Sequence, residues 1–213
     1  EAKQSADKTQ ALTRQLMTFA EGGEPIKETA SMEALLAETT TLLLRVSNVH
    51  PEYHFSHPLF PVEIDPGQIS QVIQNLVLNA DQAMPNGGIL NVSAEQVEVD
   101  AADSLPLELG TYVKVSVEDE GIGIAEKILP QLFDPYFTTK PTGHGLGLSI
   151  TYSIIQRHDG YITVHSVQGI GTTFEFYLPV SEKQVVAKKE QEQLFVRGTG
   201  RILLMDDEET IHK

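Results

Sequence analysis

The sequence predicts an α+β domain, in which a mostly antiparallel sheet carries helices on one face. Four segments alternate with period two and are rich in β-branched and aromatic side chains, which indicates strands. They cover residues 89–99, 111–118, 160–166 and 171–179. Helical patterns cover residues 31–44, about 65–84 and about 144–158. Sequential strands with separate helices are typical of the α+β class.

The helix that begins near residue 65 has a strong start signal. Asp65 is a favourable N-cap, Pro66 suits the first helical position, and Gln68 stands at the capping-box position. A Pro-Asn-Gly-Gly turn at residues 85–88 ends this helix. The other predicted segments are extended near 52–56 and 60–64 and irregular over 119–143.

The composition is that of a globular chain. Of 213 residues, 40 % are hydrophobic and 21 % are charged, which suffices for a sizeable core. No apolar run reaches the roughly 18–20 residues of a membrane-spanning helix. Cysteine is absent, which excludes disulfides, thiolate metal sites and cysteine nucleophiles. We expect a cytoplasmic chain, whose parent protein is either soluble or membrane-associated.

The net charge of −15 argues against a nucleic-acid partner. The chain has 30 acidic and 15 basic residues, and no cluster of Lys or Arg that would attract a polyanion. A small polyanionic ligand remains compatible with this charge if a divalent cation and backbone amides help to bind it.

The two ends of the chain differ from its middle. Residues 5–21 predict a helix whose a/d seam follows spacings of four and three, through Ser5, Thr9, Leu12, Leu16 and Phe19. A seam this short requires a partner helix. Residues 182–199 have the polar and charged composition of a linker, and a further strand is predicted from residue 200.

Three glycines, Gly143, Gly145 and Gly147, precede the last predicted helix. The segment lacks the P-loop pattern, and Leu148 stands where a dinucleotide fingerprint needs its third glycine. Two interpretations stay open. Either the amides at the helix start bind phosphate, or the glycines form a flexible turn.

An acidic residue followed by alternating glycines forms a second motif, Asp119-Glu120-Gly121-Ile122-Gly123. A carboxylate at the end of a strand can lie at the floor of a pocket. Because its oxygens only accept hydrogen bonds, it suits an exocyclic amine such as that of adenine. A simple acidic turn is the alternative interpretation.

Two asparagines form a third motif on the helix over 65–84. Asn75 and Asn79 are four residues apart and share one helix face. Asparagine is a poor helix former, but its carbonyl oxygen can bind a hard cation such as Mg²⁺. The alternative is a pair of buried amides that bond to nearby backbone.

Together the three motifs resemble the N, G1 and G2 boxes of sensor histidine kinases, in the GHKL superfamily of ATP-binding domains. Residues 132–140, LFDPYFTTK, resemble the F box between G1 and G2. The resemblance covers about residues 30–180. It implies a two-layer α/β sandwich (the Bergerat ATP-binding fold), ATP and Mg²⁺ as cofactors, and protein-histidine kinase activity.

The flanking segments resemble other parts of a hybrid histidine kinase. Residues 5–28 resemble the second helix of a dimerisation and phosphoacceptor domain with its connector. Residues 200–209 resemble the first strand of a receiver domain, with Asp206 and Asp207 as acidic Mg²⁺-site residues. The predicted boundaries are 1–28 for the helix and connector, 29–181 for the catalytic domain, 182–199 for the linker and 200–213 for the start of the receiver.

The resemblance implies roles for the residues that match the boxes. Asp119 would accept a hydrogen bond from the adenine amine, and Gly121 and Gly123 would shape the adenine pocket. Asn75 and Asn79 would face Mg²⁺ and the phosphates.

The segment around the glycine triplet would hold the phosphates. Lys140 would contact the γ-phosphate, so Asn75 and Lys140 are the predicted catalytic residues. The remaining predicted nucleotide contacts are Thr139, Gly143, His144, Gly145, Leu146 and Gly147. Because Thr or a small residue is commoner at position 144, His144 has two open roles, a phosphate contact or an exposed side chain. The F-box aromatics would pack against the body of the domain or against the phosphoacceptor helix, through Phe133, Tyr136 and Phe137.

Two alternatives to a kinase follow from the same resemblance, a GHKL-type ATPase and a nucleotide-binding regulatory module. Superfamily ATPases carry a Glu base four residues before the metal-binding Asn, and here Asn75 stands at that position. An amide cannot take a proton from water, which favours transfer over hydrolysis. Intact boxes argue against the passive module.

The phosphoacceptor is expected outside this chain. None of the seven histidines lies in the context of a phosphoacceptor helix, and His158, at the end of the last helix, has a structural interpretation. We expect the acceptor histidine before Glu1 and the receiver's acceptor aspartate after Lys213, so the chain alone would not autophosphorylate. The expected partners are ATP, the phosphoacceptor helix, a receiver domain or response regulator, and a second copy of the chain in a weak homodimer.

Overall fold

A computed structural model describes residues 24–100, 105–140 and 144–181. The helix over 5–21, the linker and the predicted receiver strand lie outside the described residues, as does Gly143. The domain boundaries that depend on those segments stay predictions.

The described residues contain three α-helices, one 3₁₀-helix and seven strands. The α-helices are α1 (Met32–Leu44), α2 (Pro66–Ala83) and α3 (Gly147–Arg157), and the 3₁₀-helix is Glu126–Gln131. The strands are β1 (Glu28–Ala30), β2 (Val49–Phe55), β3 (Val62–Ile64), β4 (Gly88–Val99), β5 (Gly110–Asp119), β6 (Tyr161–Val167) and β7 (Gly171–Pro179).

Five strands form one sheet in the order β2-β4-β5-β7-β6, and β1 pairs with β3 separately. The predicted α+β fold with a mostly antiparallel sheet is confirmed, although the sheet is mixed. β2 and β4 are parallel, whereas the other three pairs of the sheet are antiparallel. Parallel neighbours need a long crossover, and the chain between β2 and β4 runs through β3 and α2.

The core lies between the helices and one face of the sheet, so the domain has two layers. Alternate residues of β5, namely Val113, Val115 and Val117, are buried in this core. The opposite face of the same strand carries Lys114, whose ammonium lies 2.7 Å from a Glu175 carboxylate oxygen on β7. This alternation is the period-two pattern that identified the strand.

The start of α2 confirms the predicted N-cap but not the capping box. The Asp65 carboxylate accepts a hydrogen bond from the Gln68 N–H at 3.1 Å, and Pro66 occupies the first turn. The box would pair the Gln68 side chain with the Asp65 N–H. Instead, the Asp65 N–H donates to His158 Nε2 at 2.9 Å, because α3 ends beside the start of α2 and brings a buried acceptor.

His158 is a structural residue, as predicted. It is fully buried, its Nε2 accepts from the Asp65 N–H, and its Nδ1 lies 2.8 Å from the Ile154 carbonyl oxygen. This pattern requires the neutral ring with its proton on Nδ1. Burial lowers the pKa of His158, an effect that its hydrogen bond to the Ile154 carbonyl partly opposes.

We predict that His158 makes the protein less stable in acid. The unfolded chain binds a proton near pH 6.5 while the folded ring stays neutral to lower pH. The free energy of unfolding should therefore fall as the pH drops below 6.5, by up to about 1.4 kcal/mol per pH unit. Urea titrations of wild type and of His158→Gln at several pH values measure this slope.

The control for this prediction is the exposed His54, on β2. His54→Gln should keep the wild-type slope, whereas His158→Gln should flatten it. An unchanged slope in His158→Gln would contradict the assignment.

The last helix begins at Gly147, three residues later than predicted. The residues before it form a turn, because Gly145 has φ of +66° and its carbonyl oxygen accepts from the Tyr136 N–H at 2.9 Å. That positive φ is incompatible with a right-handed helix.

Residues 24–30 attach to the body at the ends of two helices. The Ile26 N–H donates to the Asp65 carboxylate at 3.1 Å, and Lys27 Nζ lies 2.7 Å from Asp159 Oδ2. A cavity of about 440 Å³ beside this attachment is lined by Glu24, Pro25, Lys27 and Arg157. Among the described residues, no helix combines the length and apolarity needed to cross a membrane.

Candidate functional site

The three sequence motifs meet where the last turns of α2, the end of β5 and the start of α3 come together. The Ile122 N–H, in the segment after β5, donates to the Ala83 carbonyl at the end of α2 at 3.2 Å. The Asn75 amide nitrogen of α2 donates to the Gly147 carbonyl at the start of α3 at 2.9 Å. The asparagine helix therefore contacts both glycine motifs directly.

Asp119 ends β5 as a buried carboxylate, with 6 % of its surface exposed. Its Oδ1 accepts from the Gly121 N–H at 2.8 Å. Burial raises the pKa of Asp119, and backbone hydrogen bonds from Gly121 and Thr172 oppose that rise. A carboxylate held by backbone N–H groups keeps further lone pairs for another donor.

Gly121 and Gly123 allow the backbone to pass where a side chain would collide. A Cβ on Gly121 would lie 2.7 Å from both the Ala83 Cβ and Asp119 Oδ1. Gly123 has φ of +64°, and its Cβ would lie 2.1 Å from the Val167 carbonyl oxygen. The first glycine closes the segment onto α2, and the second closes it onto the β6–β7 hairpin.

Asn75 uses its amide nitrogen to connect α2 with α3. Besides the Gly147 carbonyl, this nitrogen donates to Thr151 Oγ1 at 3.2 Å. For the nitrogen, the structure therefore matches the interpretation of an amide bonded to nearby backbone. The Asn75 oxygen has no donor among the residues that the structure describes, and it remains available to a ligand.

Asn79 lies one turn later on α2 and contacts Lys140. The Lys140 ammonium donates to Asn79 Oδ1 at 2.9 Å and also to Gln82 Oε1. Partial burial lowers the pKa of Lys140. Two of the predicted site residues are thus in direct contact, and the contact is between a cation and an amide oxygen.

The glycines at the start of α3 have different roles. A Cβ on Gly145 would lie 2.4 Å from the Tyr136 carbonyl carbon, whereas a Cβ on Gly147 would meet nothing closer than Asn75 Oδ1 at 3.5 Å. The Leu146 side chain is buried in the core, so only its backbone can reach a ligand.

The first turn of α3 differs from the other two helix starts. Ser31 caps α1 and Asp65 caps α2 with side-chain hydrogen bonds, but no side chain caps α3. Its first backbone N–H groups therefore lack a side-chain acceptor, and such groups carry partial positive charge.

The F-box aromatics divide between packing and exposure. Phe133 packs against the core and its ring centroid lies 5.7 Å from that of Tyr152 on α3. Phe137 is half-buried, whereas Tyr136 is 65 % exposed and has φ of +68°. Thr139 and His144 are both exposed. For His144, exposure agrees with one of the two roles left open, that of an exposed side chain.

The residues present fit a nucleotide with a hard cation. Within the described ranges, no group of three His, Cys, Asp or Glu side chains could hold a metal ion. A cation at this site would therefore bind amide and phosphate oxygens, which Mg²⁺ accepts as ligands. The Lys140 ammonium on Asn79 Oδ1 shows that this oxygen can face a positive charge.

Three further residues contact the predicted site residues or their neighbours and were not predicted from the sequence. They are Gln82, which contacts Lys140, Ala83, which contacts the segment after Asp119, and Thr151, which contacts Asn75. The i+3 and i+4 spacings place Gln82 and Ala83 on the helix face of Asn79, so these two residues could have been identified from the sequence.

Comparisons with known proteins show which family the chain resembles. The family described as histidine kinase-, DNA gyrase B-, and HSP90-like ATPase matches residues 64–182. The sensor kinase CckA of Brucella abortus (strain 2308) is 36 % identical over 98 % of the chain, and the sensor histidine kinase ZraS of Escherichia coli (strain K12) is 32 % identical over 83 %. The chain spans 24 % of CckA and 36 % of ZraS.

The fold also recurs in a solved structure. The crystal structure of full-length ShkA in complex with AMPPNP superposes with a TM-score of 0.71, at 23 % identity, over 85 % of this chain and 38 % of that one. At this identity the likeness concerns the fold alone. The family match, which covers more than half of the sequence, assigns the chain: it belongs to the histidine kinase-, DNA gyrase B- and HSP90-like ATPase family.

Proposed function

We propose that this chain is the ATP-binding catalytic core of a two-component sensor histidine kinase. It would transfer the γ-phosphoryl group of ATP to a histidine on a dimerisation helix. One observation carries the proposal: the segment that follows the buried carboxylate of Asp119 and the uncapped helix start at Gly147 both hydrogen-bond to the same asparagine-bearing helix. This arrangement offers a hydrogen-bond acceptor, the carboxylate, to the adenine ring, and hydrogen-bond donors, the N–H groups at the helix start, to the phosphates.

The adenine end of the site is assigned to Asp119. Its ionised carboxylate accepts hydrogen bonds only, so it would pair with the exocyclic amine of adenine. Gly121 and Gly123 would keep the pocket beside it free of side chains. AMPPNP, which ShkA binds, carries the same adenine ring as ATP.

The phosphate end is assigned to Asn75, Asn79, Lys140 and the start of α3. Mg²⁺, when bound, would neutralise charge on the phosphate oxygens. The oxygens of Asn75 and Asn79 would hold this cation, and the Lys140 ammonium would contact the γ-phosphate. The N–H groups at the start of α3 would donate to phosphate oxygens. Thr139, Gly143, Gly145 and the backbone of Leu146 complete the proposed set.

Transfer is favoured over hydrolysis by the chemistry of Asn75. Hydrolysis benefits from a base that activates water, and the Asn75 amide takes no proton. Its nitrogen also donates to Gly147 and Thr151, so the residue serves to position α3. Phosphoryl transfer to a histidine needs mainly positioning and charge neutralisation.

The histidines within the described residues are poorly placed to be the acceptor. His158 is fully buried and has both ring nitrogens in hydrogen bonds. The other five lie outside helices, with His50 and His54 on β2, His165 on β6, and His57 and His144 in loops, whereas the proposed acceptor lies on a helix. We therefore assign the acceptor histidine to a separate phosphoacceptor helix. The proposed partners of the chain are that helix, a receiver domain or response regulator, and a weakly bound second copy of the chain.

Incubation with Mg²⁺ and γ-labelled ATP tests the proposal. We expect no stable label on the chain alone and acid-labile label on a separately supplied phosphoacceptor helix pair of a sensor kinase. The same helix pair with its acceptor histidine changed to Gln is the control and should stay unlabelled.

Three outcomes would contradict parts of this account. Stable label on the chain itself would overturn the assignment of the acceptor. Phosphate release that is independent of the acceptor would favour the ATPase alternative. Nucleotide binding without either reaction would favour the regulatory module.

A further inference from the structure

Gln82 is a residue that the proposed function does not use. It lies on the last turn of α2, three residues after Asn79 and hence on the same helix face. Its side-chain oxygen accepts from Lys140 Nζ, which also donates to Asn79 Oδ1 at 2.9 Å. Two amide oxygens of one helix therefore hold the ammonium.

Under the proposed function, two cations compete for the oxygen of Asn79. Mg²⁺ takes oxygen ligands, including amide carbonyls, and the ammonium of Lys140 uses the same Oδ1 in this structure. When Mg²⁺ occupies Asn79, Lys140 keeps only its contact with Gln82. That contact would hold the ammonium beside the phosphates instead of releasing it to solvent.

The ammonium also has capacity for a further acceptor. A lysine ammonium has three N–H donors, and two of them contact Asn79 and Gln82. The third has no acceptor in the part of the chain that the structure describes.

We propose that Gln82 is a positioning residue for Lys140, holding its ammonium beside Asn79 so that it can neutralise nucleotide phosphates without a metal. When Mg²⁺ occupies Asn79, Gln82 retains the ammonium at the phosphate end of the site. This inference rests on the proposed function. It implies that the chain binds metal-free nucleotide, and that Mg²⁺ increases the affinity less than it would without Lys140.

The test is calorimetric titration with a non-hydrolysable ATP analogue, once with Mg²⁺ and once with EDTA. Gln82→Met should weaken metal-free binding by about threefold to tenfold, because a hydrogen bond to a charged group is lost. It should weaken binding in the presence of Mg²⁺ more strongly, because the ammonium then has neither Asn79 nor Gln82 as a partner, and so lower the factor by which Mg²⁺ increases affinity. Gln74→Met, an exposed glutamine on the same helix, should change neither quantity.

A double variant separates positioning from a general effect on structure. If Gln82 acts through Lys140, then Gln82→Met should have no further effect on metal-free affinity in a Lys140→Met background. An effect as large as in the wild-type background would overturn the inference. Because Gln82 is exposed, its substitution should leave the folded state intact, which thermal unfolding checks.

The remaining outcomes separate this inference from the proposed function. If wild type binds the analogue and Mg²⁺ increases its affinity by the same factor as that of Gln82→Met, then only the role of Gln82 is overturned. Wild type that binds no nucleotide in either condition overturns the proposed function, and the role of Gln82 with it.

Discussion

Asp119→Asn is expected to weaken nucleotide binding by about 100-fold or more, the equivalent of roughly 3 kcal/mol. Asp119 Oδ1 accepts from the Gly121 N–H, and that N–H will retain the oxygen of an asparagine. The new NH₂ group would then face the amine of adenine, so a donor would meet a donor. Calorimetric titration with a non-hydrolysable ATP analogue and Mg²⁺ measures the loss.

Glu120→Gln is the matched control for this substitution. It removes the same charge from the neighbouring residue, whose side chain is exposed. Its affinity should stay within about twofold of wild type, because an exposed charge contributes little. If both variants lose affinity alike, the loss at Asp119 is not specific to recognition of the adenine amine, and its assignment to the adenine end of the site is contradicted.

Gly123→Ala is expected to destabilise the fold by about 3 kcal/mol or more. Gly123 has φ of +64°, and a Cβ there would lie 2.1 Å from the Val167 carbonyl oxygen. A left-handed conformation and a collision with backbone therefore act together. The melting temperature should fall by about 6–12 °C, which calorimetry can measure.

Gly169→Ala separates these two causes. Gly169 has φ of +83°, but a Cβ there would meet no atom within 4 Å. This variant carries the conformational cost alone and should lose about 1–2 kcal/mol. Equal losses at both positions would contradict the close approach of Gly123 to the β6–β7 hairpin.

Local sequence patterns predicted the long elements well, because each carries its own periodicity or cap. The alternation in β5 and the cap at Asp65 fall where the structure has them. β1 escaped prediction because three residues cannot show a period, and the strand exists through its pairing with β3. The parallel pairing of β2 with β4 likewise depends on a crossover rather than on either strand.

The sequence motifs pointed to candidate residues but not to their contacts. Asn75 contacts Gly147 across 72 residues, Lys140 contacts Gln82 across 58, and Asp65 contacts His158 across 93. Such pairs form because α2 is packed against α3 and against the segment before it. No pattern within one segment specifies the partner.

The glycine triplet illustrates the same limit. In sequence Gly145 and Gly147 look equivalent, and each precedes an apolar residue. In the structure Gly145 has a positive φ and closely approaches Tyr136, whereas a side chain on Gly147 would meet only ordinary contacts. Space around a glycine depends on a neighbouring segment that the motif does not contain.

The nucleotide is expected to lie between α2 and the two glycine motifs, and backbone amide chemical shifts report its location. We would titrate the ¹⁵N-labelled chain with a non-hydrolysable ATP analogue and Mg²⁺ and follow its backbone N–H signals. We expect the largest changes at Gly121, Gly123, Gly145 and Gly147. Changes centred instead on Lys27 and Arg157, beside the cavity at the other end of α3, would contradict this location.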